Sequence, residues 1–128
     1  MTRLNSILKP PILSTLALHS AQADIITEPK ALHQLLNGNS LAGSYNEMLF
    51  KQVLQTDGVV LVAIKGQPGI LKARWFINDK AEYCEQWPDH LSCFQIGQGE
   101  GNLLIVKSKD DAKIVSRLFE GAIPLDFD

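Results

Sequence analysis

From Leu41 onward, turn-forming residues interrupt the chain about every eight to twelve positions, and this rhythm limits what the chain can become. Segments that short, rich in Val, Ile and aromatic residues, read as strands rather than helices. Asp57-Gly58 separates MLFKQVLQ from VVLVAIK, and both residues tolerate the positive φ that a tight hairpin needs. Gly66-Gln67-Pro68-Gly69 is the next turn and Asn78-Asp79-Lys80 the one after it. Between them Leu71, Ala73, Trp75 and Ile77 share one face of a strand, with Lys72 and Arg74 on the other. Tyr83 to Gln86 and Leu91 to Ile96 flank a Trp87-Pro88-Asp89-His90 tip. The glycine-rich stretch from Gly97 to Asn102 leads into a strand from Leu103 to Val106. Ala112 to Phe119 reads two ways: Ile114, Val115, Leu118 and Phe119 are spaced as a helix face that Asp111 would cap, but the β-branched pair and the strand rhythm favour a strand.

Seven or eight short antiparallel strands must hide their edges, and a closed up-and-down β-barrel does so best. An eight-stranded barrel has an interior that side chains just fill or that holds one small ligand. Ahead of the strands, Thr27 is placed to cap a short helix with Pro29 in its first turn and Gly38 at its end. Leu32, Leu35 and Leu36 give this N-terminal helix one narrow apolar face, which predicts a plug or lid on the β core. The fold class expected is mainly β, a small antiparallel barrel preceded by a short helix.

The N-terminus differs from the rest. Residues 1–23 hold no acidic residue, Arg3 and Lys9 supply a positive start, and PILSTLAL forms a short apolar stretch. Ala21-Gln22-Ala23 then fits the small-x-small cleavage pattern of a signal peptide, so residues 1–23 read as a signal peptide and 24–128 as one domain of a periplasmic or secreted protein. The competing reading is an amphipathic helix of a cytosolic protein, which Pro10-Pro11 would interrupt. Cleavage after Ala23 removes 23 of 128 residues together with Arg3 and Lys9, and moves the net charge from −2 to −4.

Both cysteines, Cys84 and Cys93, fall in the mature part. An even count in a small exported domain points to a disulfide, and a hairpin centred on Pro88-Asp89 places the two opposite each other. Two buried free thiols are the alternative in a cytosolic chain.

Leu36-x-Gly38-Asn39-Ser40-Leu41-x-Gly43, Asp57-Gly58, Arg74-Trp75-Phe76-Ile77, Tyr83-Cys84-x-x-Trp87 and Cys93-Phe94 together resemble a group of exported proteobacterial families. These are small lipocalin-like (calycin-type) barrels with a TGNT-like opening, a G-x-W strand and a YCxxW…C hairpin. The resemblance spans roughly residues 35–106 and implies a fold, not a chemistry. This chain departs from it in carrying Asn37 where the families have Thr, and Ala73-Arg74 before Trp75 where a glycine is usual.

The residues narrow the function classes. No Lys/Arg run offers the basic patch that nucleic acid requires, and no apolar stretch nears the ~20 residues that span a bilayer. Glu82, Cys84, Glu85, Asp89, His90 and Cys93 form the densest polar cluster, but C-x8-C with one His between matches no common zinc pattern, so no metal is expected. No Gly-x-Ser-x-Gly elbow is present, and Asp110-Asp111 reads as a turn rather than an acid/base pair. Gly97-x-Gly99-x-Gly101 lacks a following Lys-Ser/Thr and leads into a strand, so it reads as a turn and not a phosphate loop. Neither an enzyme nor a cofactor is expected.

The aromatics Tyr45, Phe50, Trp75, Tyr83, Trp87 and Phe94 are expected to fill the barrel outright, as such residues usually do in a small barrel, with a pocket walled by them at its mouth as the alternative. Tyr45, Tyr83, Trp87 and His90 are the candidate binding residues, with Trp87 at a hairpin tip the one expected to be exposed to a partner. The expected function is a non-catalytic periplasmic or secreted binding domain whose partner is a small apolar molecule or, through its loops, a protein. The alternative is a protein-interaction module, such as an inhibitor of a hydrolase of the lysozyme kind, for which an acidic chain suits a basic target.

Overall fold

A computed structural model of the chain describes residues 24–127. The expected signal peptide and its cleavage site at Ala23 lie outside the described residues. Nine strands and one helix follow: β1 (Asp24–Ile25), α1 (Pro29–Leu36), β2 (Ser40–Tyr45), β3 (Met48–Leu54), β4 (Val59–Ile64), β5 (Leu71–Ile77), β6 (Glu82–Gln86), β7 (Leu91–Gln98), β8 (Leu103–Lys107) and β9 (Ile114–Phe119). Each strand from β2 to β9 pairs antiparallel with its chain neighbour, and β9 pairs with β2 to close the ring. The result is an eight-stranded up-and-down barrel. The two-residue β1 lies along β7 beyond the end of β6. The 112–119 segment is a strand from Ile114.

Because successive strands run in opposite directions, the connections fall alternately at two ends. Residues 55–58, 78–81 and 99–102 turn the chain at one end, where α1 also enters the barrel. Asn46-Glu47, 65–70, 87–90 and 108–113 turn it at the other. The helix plugs the first end. Leu32 and Leu36 are fully buried, α1 packs on β5 and β6, and the imidazole of His33 stacks on Trp75 at 5.4 Å between ring centroids. The helix C-terminus is pinned to β3, with Gly38 N donating to Leu54 O and Leu54 N donating to Asn39 O. Gly38 takes a φ of 78°, the left-handed stop that glycine allows. The expected cap is corrected. Glu28, not Thr27, occupies the N-cap position and makes no side-chain bond there; the helix starts on the fixed φ of Pro29.

Alternation in every strand decides what faces inward. Trp75 is buried and its indole N–H donates to Gln55 O at 2.9 Å, while Lys72 and Arg74 face water. Leu71, expected on the same inner face, is exposed because it sits at the open end. At Gly43 the backbones of β2 and β9 meet so closely that a Cβ would lie 1.8 Å from the Val115 carbonyl oxygen, so only glycine fits. Cys84 and Cys93 are direct cross-strand partners on β6 and β7 and are joined by a disulfide.

After β9 the tail from Gly121 to Phe127 straps the outside of the barrel. Ser40 Oγ donates to Gly121 O and accepts from Ile123 N, Lys51 Nζ donates to Asp126 O, and the same ammonium lies 4.9 Å from the centre of the Phe127 ring. Ser40 is on an outward-facing position yet fully buried, because the tail covers it. Among the described residues no helix is long and apolar enough to cross a membrane.

Candidate functional site

The barrel is packed solid at the helix end and hollow at the other. Trp75, Val60, Leu54 and the helix leucines fill the closed half. Beyond them a cavity of about 370 Å³ is bounded by inward side chains of seven of the eight barrel strands, together with Trp87 and His90 of the β6–β7 tip. Its walls are mostly apolar: Leu41, Phe50, Ile64, Phe94, Ile96, Val106 and Ile114. A recess of about 170 Å³ adjoins it, sharing Tyr45, Phe50, Ile64, Glu85 and Trp87 and adding Met48 and Val62. Met48, Ile70, Leu71 and Leu91 stand exposed around this end.

Gln52, Tyr83 and Glu85 project inward into this mostly apolar space and satisfy one another across the barrel. Gln52 on β3 donates from Nε2 to Tyr83 Oη at 3.1 Å and to Glu85 Oε2 at 3.3 Å. Tyr83 donates its hydroxyl to the same Oε2 at 2.5 Å. The indole N–H of Trp87 donates to Glu85 Oε1 at 3.1 Å. A buried polar group without partners is costly, so the three are stable there as a connected set. Burial first, then the Glu85 charge and hydrogen bond, push the Tyr83 phenol well above its ordinary value of 10.0, which keeps it a neutral donor. The Tyr45 phenol is raised by burial, by Asp110 and by Glu85.

One buried polar atom of the cavity wall is not satisfied. Ser116, 1% exposed on β9, has a hydroxyl with no hydrogen-bond partner. At the mouth His90 stacks on Trp87 and bonds through Nδ1 to Asp89 Oδ1 at 2.7 Å. Glu82, Cys84 and Cys93 lie within ligating distance of one another, but the two sulfurs are bonded to each other and offer no thiolate. Asp110 accepts from Ser108 Oγ and Ala112 N within a turn.

The four candidate binding residues, Tyr45, Tyr83, Trp87 and His90, all line this one cavity. Trp87 is half-buried and turned in toward Glu85 rather than out toward a partner. Phe50 and Phe94 join it, whereas Trp75 belongs to the packed half. Gln52 and Ser116 carried no sequence signal of their own, and Glu85 entered only as part of the polar cluster near the cysteines. Strand parity marks all three: Phe50-x-Gln52-x-Leu54, Tyr83-x-Glu85-x-Trp87 and Ile114-x-Ser116-x-Leu118 each place a polar side chain on an inward position. No family model, no curated protein and no solved structure matches this chain.

Proposed function

We propose that this protein is a non-catalytic binding domain that takes a small, mainly apolar molecule into its barrel, and that it works in the periplasm or outside the cell. The cavity carries this reading. Its volume of about 370 Å³ lies in the range of small-molecule sites, and apolar walls with a few convergent polar groups are the usual composition of such sites. The alternative, a protein-interaction module such as a hydrolase inhibitor, predicts a filled barrel with aromatic side chains directed outward. Here Phe76 and Phe119 are exposed on the outside, but Tyr45, Phe50, Trp87 and Phe94 border an open cavity rather than a filled interior. Export is supported by the acid-free N-terminus ending in Ala21-Gln22-Ala23 and by a disulfide that persists in an oxidising compartment.

The test is a fluorescence titration with N-phenyl-1-naphthylamine, a neutral apolar probe that brightens on leaving water. Saturable binding to one site, abolished in Ile114→Trp where the larger ring occupies the cavity, is the expected result. Unchanged probe fluorescence with wild-type protein, or equal binding by the filled variant, would overturn the reading.

A further inference from the structure

We propose that the cavity selects an organic cation, an amine on a short aromatic or aliphatic body, with Glu85 as its counter-charge and Tyr45, Phe50 and Trp87 as its aromatic wall. This rests on the ligand-binding reading above and narrows it to a chemical class.

Among the described residues that line the cavity, Glu85 is the one carboxylate, and no Lys or Arg joins it. An apolar wall needs no carboxylate, and burying one costs free energy unless donors surround it. Its two oxygens are unequally served. Oε2 receives both Tyr83 and Gln52, while Oε1 receives only the Trp87 indole. A carboxylate oxygen has two lone-pair sites, so Oε1 retains room for a further donor. An ammonium supplies that donor and the compensating charge together, a charge-assisted bond stronger than a neutral one.

The aromatic residues fit the same ligand. Tyr45, Phe50 and Trp87 border both the cavity and the adjoining recess, as Glu85 does. The negative faces of aromatic rings attract cations, most strongly where water is excluded. Ser116 contributes a buried hydroxyl whose oxygen is free to accept from a second N–H. The remaining charged groups near the mouth do not reverse the sign: Lys109 and Asp110 border one adjoining groove and contribute one charge of each sign, and His90 is bonded to Asp89. An anionic ligand would meet Glu85 with no Lys or Arg among the described residues that line the cavity to offset it, which selects against it.

The test is displacement of bound N-phenyl-1-naphthylamine near neutral pH by three probes of similar shape and different charge: 2-phenylethylamine, 2-phenylethanol and 3-phenylpropanoate. The amine is expected to displace the dye with an affinity about tenfold above that of the alcohol, and the acid to be the weakest. Glu85→Gln is expected to bring the amine to the level of the alcohol, each competitor being ranked against that variant's own affinity for the dye. Equal affinities for the three, preference for the acid, or an amine preference that survives Glu85→Gln would overturn the proposal. Should Glu85→Gln fail to fold, the wild-type ranking decides alone. A dye that does not bind wild-type protein overturns the binding reading itself, whereas a dye that binds and is displaced without regard to charge overturns only the choice of cation.

Discussion

Tyr83 and Glu85 lie two residues apart on β6, face the same side of the strand, and share a hydrogen bond of 2.5 Å inside the barrel. Their bond, with Gln52 reaching across from β3, separates a packed half of the barrel from a hollow one. Tyr83→Phe keeps the ring and removes the donor. It is expected to lower stability by about 1–3 kcal/mol, because Glu85 and Gln52 each lose a buried partner. Urea unfolding followed by tryptophan emission measures it.

The same pair sets a dependence on alkaline pH. The Tyr83 phenol is raised well above 10.0 in the folded protein. A group whose folded pKa is raised gives stability that is fully present below the unfolded pKa and is lost as pH rises through the folded one. Stability is therefore expected to hold up to about pH 9 and to fall as pH is raised past about 10. Tyr83→Phe is expected to flatten the fall, leaving the smaller contribution of Tyr45, whose phenol is also raised. Urea midpoints across that range, compared between the two proteins, give the result.

The two tryptophans are expected to respond differently to truncation. Trp75 is 5% exposed in the packed half, so Trp75→Ala is expected to cost about 3–5 kcal/mol. Trp87 is half-buried over the cavity, and Trp87→Ala is expected to cost only about 1–2 kcal/mol, chiefly through the donor lost to Glu85, while it weakens binding of the naphthylamine probe. Paired thermal melts and probe titrations separate the two effects.

Gly43→Ala is expected to destabilise the barrel by about 2 kcal/mol or more, since its Cβ would collide with the Val115 carbonyl at the seam where β9 closes on β2. Removing the disulfide by Cys84→Ser with Cys93→Ser is expected to cost roughly 2–3 kcal/mol for a loop this short, and the hairpin pairing should survive it. Circular dichroism melts of both variants measure these losses.

Much of this architecture was legible in the residues because a closed barrel depends on short strands, period-two alternation and turn residues, all of which are local. Asp57-Gly58, the 71–77 alternation and the Cys84–Cys93 hairpin gave the register directly. The Asn46-Glu47 hairpin was harder to see because a two-residue turn with positive φ at both positions is rarely made without glycine. The helix cap was misplaced by one residue because Thr27 is the better capping type, whereas the fixed φ of Pro29 sets the start. The residues left open whether the mouth of the barrel is filled or hollow. Whether inward aromatics meet in the centre or stand apart depends on barrel radius and on which end the helix plugs, and both are long-range properties. Glu85 and Gln52 follow the same logic, since only closure of the ring brings β3 and β6 to face each other.

A ligand is expected to enter the hollow half of the barrel. Intermolecular NOEs between bound N-phenyl-1-naphthylamine and selectively labelled methyl groups locate the probe directly. Contacts with Leu41, Ile64, Val106 and Ile114, which line the cavity, are the expected result. Contacts confined to the outward-facing Leu49 and Val115 would place the probe on the surface and contradict the account.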